Sequence, residues 1–330
     1  SYSIRGPNGS GFGVGDSNIF SGDFIVGDGG DGDFRGDYTI FQGNVDLGAD
    51  GEVRWRDQVE FEADLTIDGS TGSDIIFSQN MELDGDFNLT GSTIVVFDRS
   101  ATIGGDIVVA ASTVSSIRID RATTVAGNLT VGTAAALSFT NTNDNSPSLD
   151  VSGNVNLSDN VTLTLGDGVD APYTLGNITC GASVDITFDN GAESVSLASL
   201  TMGDFNIVRF NSGSSGTSFS GNLVSNGDCA SWRTIRSNVE GVQADLAFGA
   251  AQSVDANVIQ DIAVSGASFT NNSGIDHGNN TGITFSGSHS PVNLYWIGGN
   301  SGNWSDESNW STTSGGAAGV CVPSSADNAY

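Results

Sequence analysis

The chain has 330 residues and a formal charge of −29, from 39 acidic and 10 basic residues. Every basic residue is an arginine and 32 of the acids are aspartate, so the surface repels nucleic acid and anionic membrane, and no apolar run is long enough to span a bilayer. Gly, Ser, Thr, Asn, Asp and Val dominate over the long-chain helix formers, which predicts an all-β chain of short strands and turns rather than helices or disorder.

The opening Ser1-Tyr2-Ser3-Ile4 reads as a mature product or a fragment of something longer. Gly22-Asp23-Phe24 and Gly32-Asp33-Phe34 follow, only 10 residues apart. That half-length spacing marks residues 1–42 as an N-terminal cap, a hairpin unit or irregular rungs. Between them lies Gly27-Asp28-Gly29-Gly30-Asp31-Gly32-Asp33, the densest acidic, glycine-rich stretch of the chain. Asp28, Asp31 and Asp33 are the candidate ligands for Ca²⁺, the one cofactor the sequence brings into view, because carboxylates on a flexible loop supply the oxygens that calcium takes. The spacing matches neither an EF-hand loop nor a nonapeptide calcium repeat, and a solvated turn is the competing reading.

From residue 43 a signature recurs. Gly43-Asn44-Val45-x-Leu47 is echoed from Ala63, Gly85, Gly105, Gly127, Gly153, Gly176, Gly203 and Gly221, at steps of 20, 22, 20, 22, 26, 23, 27 and 18 residues. Between these anchors lie further alternating runs such as Ser73-Asp74-Ile75-Ile76-Phe77 and Met81-Glu82-Leu83. Three short period-2 runs per repeat predict a right-handed parallel β-helix (β-solenoid) with rungs of about 22 residues, regular over 43–225. The glycine of each anchor marks a corner that needs positive φ or close backbone approach. The same register stacks Asp64, Asp86 and Asp106 at the ~4.8 Å rung spacing, where neighbouring charges repel by ~0.9 kcal/mol even in a water-like dielectric. That column is expected to draw in cations, whereas Asn44, Asn128, Asn154 and Asn177 avoid the cost.

Residues 226–290 read as irregular rungs, and 291–330 as a Trp- and Gly-rich segment leading into a further repeat. Cys180, Cys229 and Cys321 make an odd count, and a Cys180–Cys229 pair is one of the pairings open to them. His277, within Asp276-His277-Gly278-Asn279-Asn280, fits a hydrogen-bonded turn better than a general base. Trp296, Trp304 and Trp310 are either a contact surface for sugar rings or a plug that covers the solenoid's end.

Cys229-x-x-Trp232-Arg233-Thr234-Ile235-Arg236-Ser237, Asp276-His277-Gly278-Asn279-Asn280-Thr281-Gly282, Tyr295-Trp296-Ile297-Gly298-Gly299-Asn300-Ser301-Gly302-Asn303-Trp304 and Val322-Pro323-Ser324-Ser325-Ala326-Asp327-Asn328 together carry a resemblance, strongest over 221–330. They resemble repeat modules of very large Bacteroidota cell-surface proteins exported by the type IX secretion system, some of which are gliding or attachment adhesins. The resemblance implies an extracellular, cell-surface location and neighbouring modules or subunits of the same assembly as partners, with surface polysaccharide or another cell as the object of contact. It names no ligand.

The expectation is therefore a non-catalytic structural or adhesive segment of a secreted filament or adhesin. The alternatives are a carbohydrate-binding module acting through its Trp-rich end and a polysaccharide-degrading β-helix enzyme.

Overall fold

The computed structural model describes residues 2–4, 18–27, 32–35, 38–48, 52–69, 74–141, 147–166, 171–189, 191, 193–212, 216–228, 231–287, 291–300, 302–324 and 326–330, with backbone alone at 2–4. Alternation decides what each short run becomes. In Val45–Leu47, Leu65–Ile67, Phe87–Leu89, Ile107–Val109 and Leu129–Val131 the outer two residues are buried and the middle one points outward. A strand of three residues has only two side chains to bury, each worth ~1.5–3 kcal/mol, so it is stable only when stacked on copies of itself.

The chain is a parallel β-solenoid of about ten turns with rungs of about 22 residues. Three columns of strands form its faces. One runs through Gln58–Phe61, Met81–Leu83, Ala101–Ile103 and Ala122–Val125. The second is the column of anchors. The third is a 12-stranded parallel sheet from Gly32–Phe34 to Ile275–Asp276. Aromatic rings on the inner side stack from turn to turn: Phe34, Trp55 and Phe77 lie 5.1 and 4.7 Å apart, and Phe20, Phe41 and Phe61 lie 5.0 and 5.2 Å apart. These separations follow the rise of the backbone.

The ten-residue spacing near the start has a plain cause. Phe24–Val26 pairs in parallel register with Val45–Leu47, and Gly32–Phe34 with Val53–Trp55. The two segments are successive faces of one turn.

One anchor is reassigned. Gly203-Asp204 does not lie in the anchor column, because Ile207–Phe210 belongs to the 12-stranded sheet. The strand Val195–Thr201 continues through the corner instead, pairing Ile178 with Leu200 and Leu200 with Leu223. The true steps are then 22 and 23 residues, and the apparent 27 and 18 disappear.

After Leu223–Val224 the second column is replaced by Gln252–Asp255, Phe269–Asn272 and Ile283–Ser286, whose partners are 17 and 14 residues apart. The shorter turns bury polar side chains beside the apolar ones. Asn257 and Asn271 are fully buried, and they bond each other through Asn271 Nδ2 to Asn257 O (2.9 Å) and Asn257 N to Asn271 Oδ1 (3.3 Å). Asn257 also accepts from Ser225 Oγ at 2.5 Å.

The last segment leaves the solenoid. Asn293–Trp296 pairs antiparallel with Trp310–Ser311 and parallel with Asn328–Ala329. A separate small core of Leu294, Trp310 and Val322 packs against Trp296, Val320 and Trp232, so Trp232 carries the solenoid onto this module. No helix among the described residues is long and apolar enough to cross a membrane.

Candidate functional site

The corners show why the anchor reads Gly followed by Asp or Asn. Asp64 Oδ1 accepts the backbone N–H of Asp86 (2.9 Å), Asp86 Oδ1 that of Asp106 (2.8 Å), and Asp106 Oδ1 that of Asn128 (2.7 Å). Asn128 Oδ1 accepts from Asn154 N at 2.9 Å, and Asn154 Oδ1 from Asn177 Nδ2 at 3.1 Å. A hydrogen bond to a charged group contributes about 1.5–3 kcal/mol, set against a repulsion between neighbours of ~0.9 kcal/mol in a water-like dielectric and several-fold more at an effective dielectric of about 20. The carboxylate column is therefore a ladder that ties rung to rung, and not a purely repulsive stack. Glycine precedes each member after Asp64, which follows Ala63, because a Cβ on Gly127 would lie 2.3 Å from Asp106 Oδ1 and 2.4 Å from Gly105 O. Close approach is the reason, since this glycine has no positive φ.

At the N-terminal acidic stretch, Asp28 and Asp31 lie outside the described residues. Asp33 gives both carboxylate oxygens to arginine. Oδ2 accepts from Arg35 NH2 and Nε at 2.6 and 2.9 Å, and Oδ1 from Arg56 Nε at 2.8 Å. The Arg35 hydrogen bond leads in holding this carboxyl below the usual range; burial opposes it, and the Arg56 hydrogen bond and the two guanidinium charges add to the lowering. Among the described residues no group of three or more His, Cys, Asp or Glu is placed to hold a metal.

A groove of about 420 Å³ crosses four turns, lined by residues 150–152, 174–176, 196–198, Ser218 and Ser220, with Val151, Leu175 and Leu197 among the lining residues. Its lining holds one acid, Asp150. His277 stands away from it, its Nδ1 3.2 Å from Gln260 Oε1, while Asp276 accepts from Gly278 N and Asn280 Nδ2.

The three tryptophans are brought together but not presented alike. Trp310 is fully buried, with Trp296 at 5.2 Å and Trp304 at 4.5 Å, both edge-on. Trp296 is half-buried and Trp304 is 56 % exposed. Trp296 Nε1 donates to Gly299 O at 2.7 Å, and Trp310 Nε1 to Trp304 O at 2.9 Å.

Comparison of the chain with family models, with curated proteins and with solved structures finds no match. The site therefore rests on its own geometry.

The cysteines correct one expectation. Cys180 is free and buried, so it does not pair with Cys229. Burial pushes its thiol pKa up to about 12. Cys321 is disulfide-bonded, in the segment that carries the tryptophans.

Sequence reading missed Arg233, which looked like a flank of Trp232. Its guanidinium is buried beneath a corner, donating from Nε to Met202 O (3.2 Å) and Gly203 O (2.8 Å) and from NH2 to Asp204 (2.9 Å). Burial lowers its pKa, opposed by the nearby Asp204 and Asp228 carboxylates. An arginine 12 residues after the Gly221 anchor gave no signal, because its partners lie about 30 residues away.

Proposed function

We propose that this chain is a non-catalytic structural segment of a secreted or cell-surface filament or adhesin, and that its work is to hold a contact surface at a distance. The observation that carries this reading is the continuous hydrogen-bonded ladder at the corners, which joins successive turns from Asp64 to Asn177 in addition to the parallel sheets. Load applied along such a stack is shared by several bonds per turn. Ten turns at the parallel-strand spacing make a rod of roughly 50 Å.

Two features support an extracellular, cell-surface place. The disulfide at Cys321 suits an oxidising compartment. The aspartate-rich, lysine-free surface suits saline surroundings. Hydrolysis by paired carboxylates wants two acids facing across a groove, and the lining of the groove described above holds one, Asp150.

The test is labelling and deletion in the cells that make the protein. An antibody against residues 43–225 is expected to label intact cells. An in-frame deletion of whole turns between Gly85 and Gly153 is expected to weaken attachment while the product still reaches the surface. Labelling only after permeabilisation, or attachment unchanged by the deletion, defeats the proposal.

A further inference from the structure

We propose that Trp304 is a stacking platform for a neutral pyranose, so that the C-terminal module binds an uncharged glycan. The site stands whether or not the solenoid serves as a spacer.

The first observation is exposure. Among the described residues every phenylalanine and every other tryptophan is buried or half-buried, while Trp304 is 56 % exposed. The second is rigidity. Trp304 is packed edge-to-face on the fully buried Trp310 at 4.5 Å and 77°, and its own carbonyl accepts the Trp310 indole N–H. The ring is thus held before any ligand arrives, which removes an ordering penalty from binding.

The third observation concerns the indole N–H groups. Those of Trp296 and Trp310 are both bonded to backbone carbonyls. That of Trp304 has no hydrogen bond to any described residue, on a ring that is 56 % exposed. An aromatic face with a polar handle at its edge suits a ligand with one apolar face and a rim of hydroxyls. A pyranose is such a ligand.

Charge decides the class. No arginine or lysine follows Arg236, so the module has no cation with which to neutralise a uronate or sulfate. Asp306, the N-cap of the 3₁₀ turn that follows Trp304, and Glu307 in its first turn add negative charge to the module, which opposes acidic sugars.

The test uses the full chain, with indole fluorescence and calorimetry. Hexaoses of β-1,4-glucan, β-1,3-glucan, mannan and xylan are the neutral probes, and polygalacturonate is the acidic one. At least one neutral hexaose is expected to bind with Kd below about 1 mM, insensitive to salt. Trp304→Ala is expected to weaken it at least tenfold, and Trp304→Phe to retain part of it. Near-UV circular dichroism checks that the Trp296–Trp310 packing persists; if Trp304→Ala disturbs it, the Trp304→Phe comparison decides. Failure of all four neutral probes, equal binding by Trp304→Ala, or preferential binding of polygalacturonate overturns the proposal. So does a Trp304→Ala variant that only converts a dimer to a monomer in sedimentation.

Discussion

Asp106 Oδ1 accepts the backbone N–H of Asn128, 22 residues further along the chain, at 2.7 Å, and Asn128 Nδ2 donates to the same oxygen at 3.1 Å. One carboxylate oxygen thereby closes a corner of the next turn. Asn fills the role as well as Asp because both offer Oδ1 in the same place.

Replacing Asp106 by Ala leaves the part-buried Asn128 N–H without its acceptor, and a loss of about 1–3 kcal/mol is expected in urea unfolding. Asp106→Asn is expected to stay within about 0.5 kcal/mol of the parent. Equal stability of the Ala variant would remove the ladder as a source of stiffness.

Charge and hydrogen bonding separate in the triple variant Asp64→Asn, Asp86→Asn, Asp106→Asn. It keeps the acceptors and deletes the repulsion, so it is expected to melt higher than the parent in dilute buffer. The gap is expected to narrow as salt shortens the screening length to ~10 Å at 0.1 M. A gap that does not change with salt contradicts the electrostatic account.

The glycines give a sharper contrast. Gly127→Ala forces a Cβ to within 2.3 Å of Asp106 Oδ1 and is expected to cost about 3 kcal/mol. Gly249 has open space around it and no positive φ, and Gly249→Ala is expected to be neutral within about 0.5 kcal/mol. Similar losses at both positions would rule out close approach between turns as the reason for the anchor glycine.

Two groups make the fold sensitive to alkali. Burial raises the Cys180 thiol from 9.0 to about 12. The hydrogen bond from Tyr38 Oη to Glu60 Oε2, with burial and the Glu60 charge adding to it, raises that phenol from 10.0 to about 12. In both, the folded state holds its proton more tightly than the unfolded chain. Their contribution is fully present below pH 9 and is lost as pH rises from about 9 through about 12. Cys180→Ala is expected to flatten this decline, and Cys180 to resist iodoacetamide at pH 8 until the chain unfolds. Rapid alkylation of the native protein would contradict it.

Cys321→Ser is expected to loosen the Trp-bearing module while the solenoid persists, since that module has its own small core. Hydrogen exchange should rise across 291–330 and stay unchanged in 85–165. Uniform destabilisation would mean that the two parts unfold together.

The sequence by itself determined the solenoid, its period and the burial of the anchors other than the one at Gly203, because a strand that buries every second residue writes that alternation into the chain. It also marked the corner Asp and Asn positions, since the same contact recurs every turn. The tertiary structure decided the rest through contacts without periodicity. Val195–Thr201 runs straight through a corner, so Ala198, and not the nearby Gly203, lies over Gly176. Arg233 finds its acceptors about 30 residues back. Trp296, Trp304 and Trp310 look equivalent in sequence, yet the antiparallel pairing of Trp296 with Trp310 puts Trp310 in the core and leaves Trp304 at the surface. Repetition makes a rung legible one turn at a time; the end of the rod is made once, by packing between distant segments.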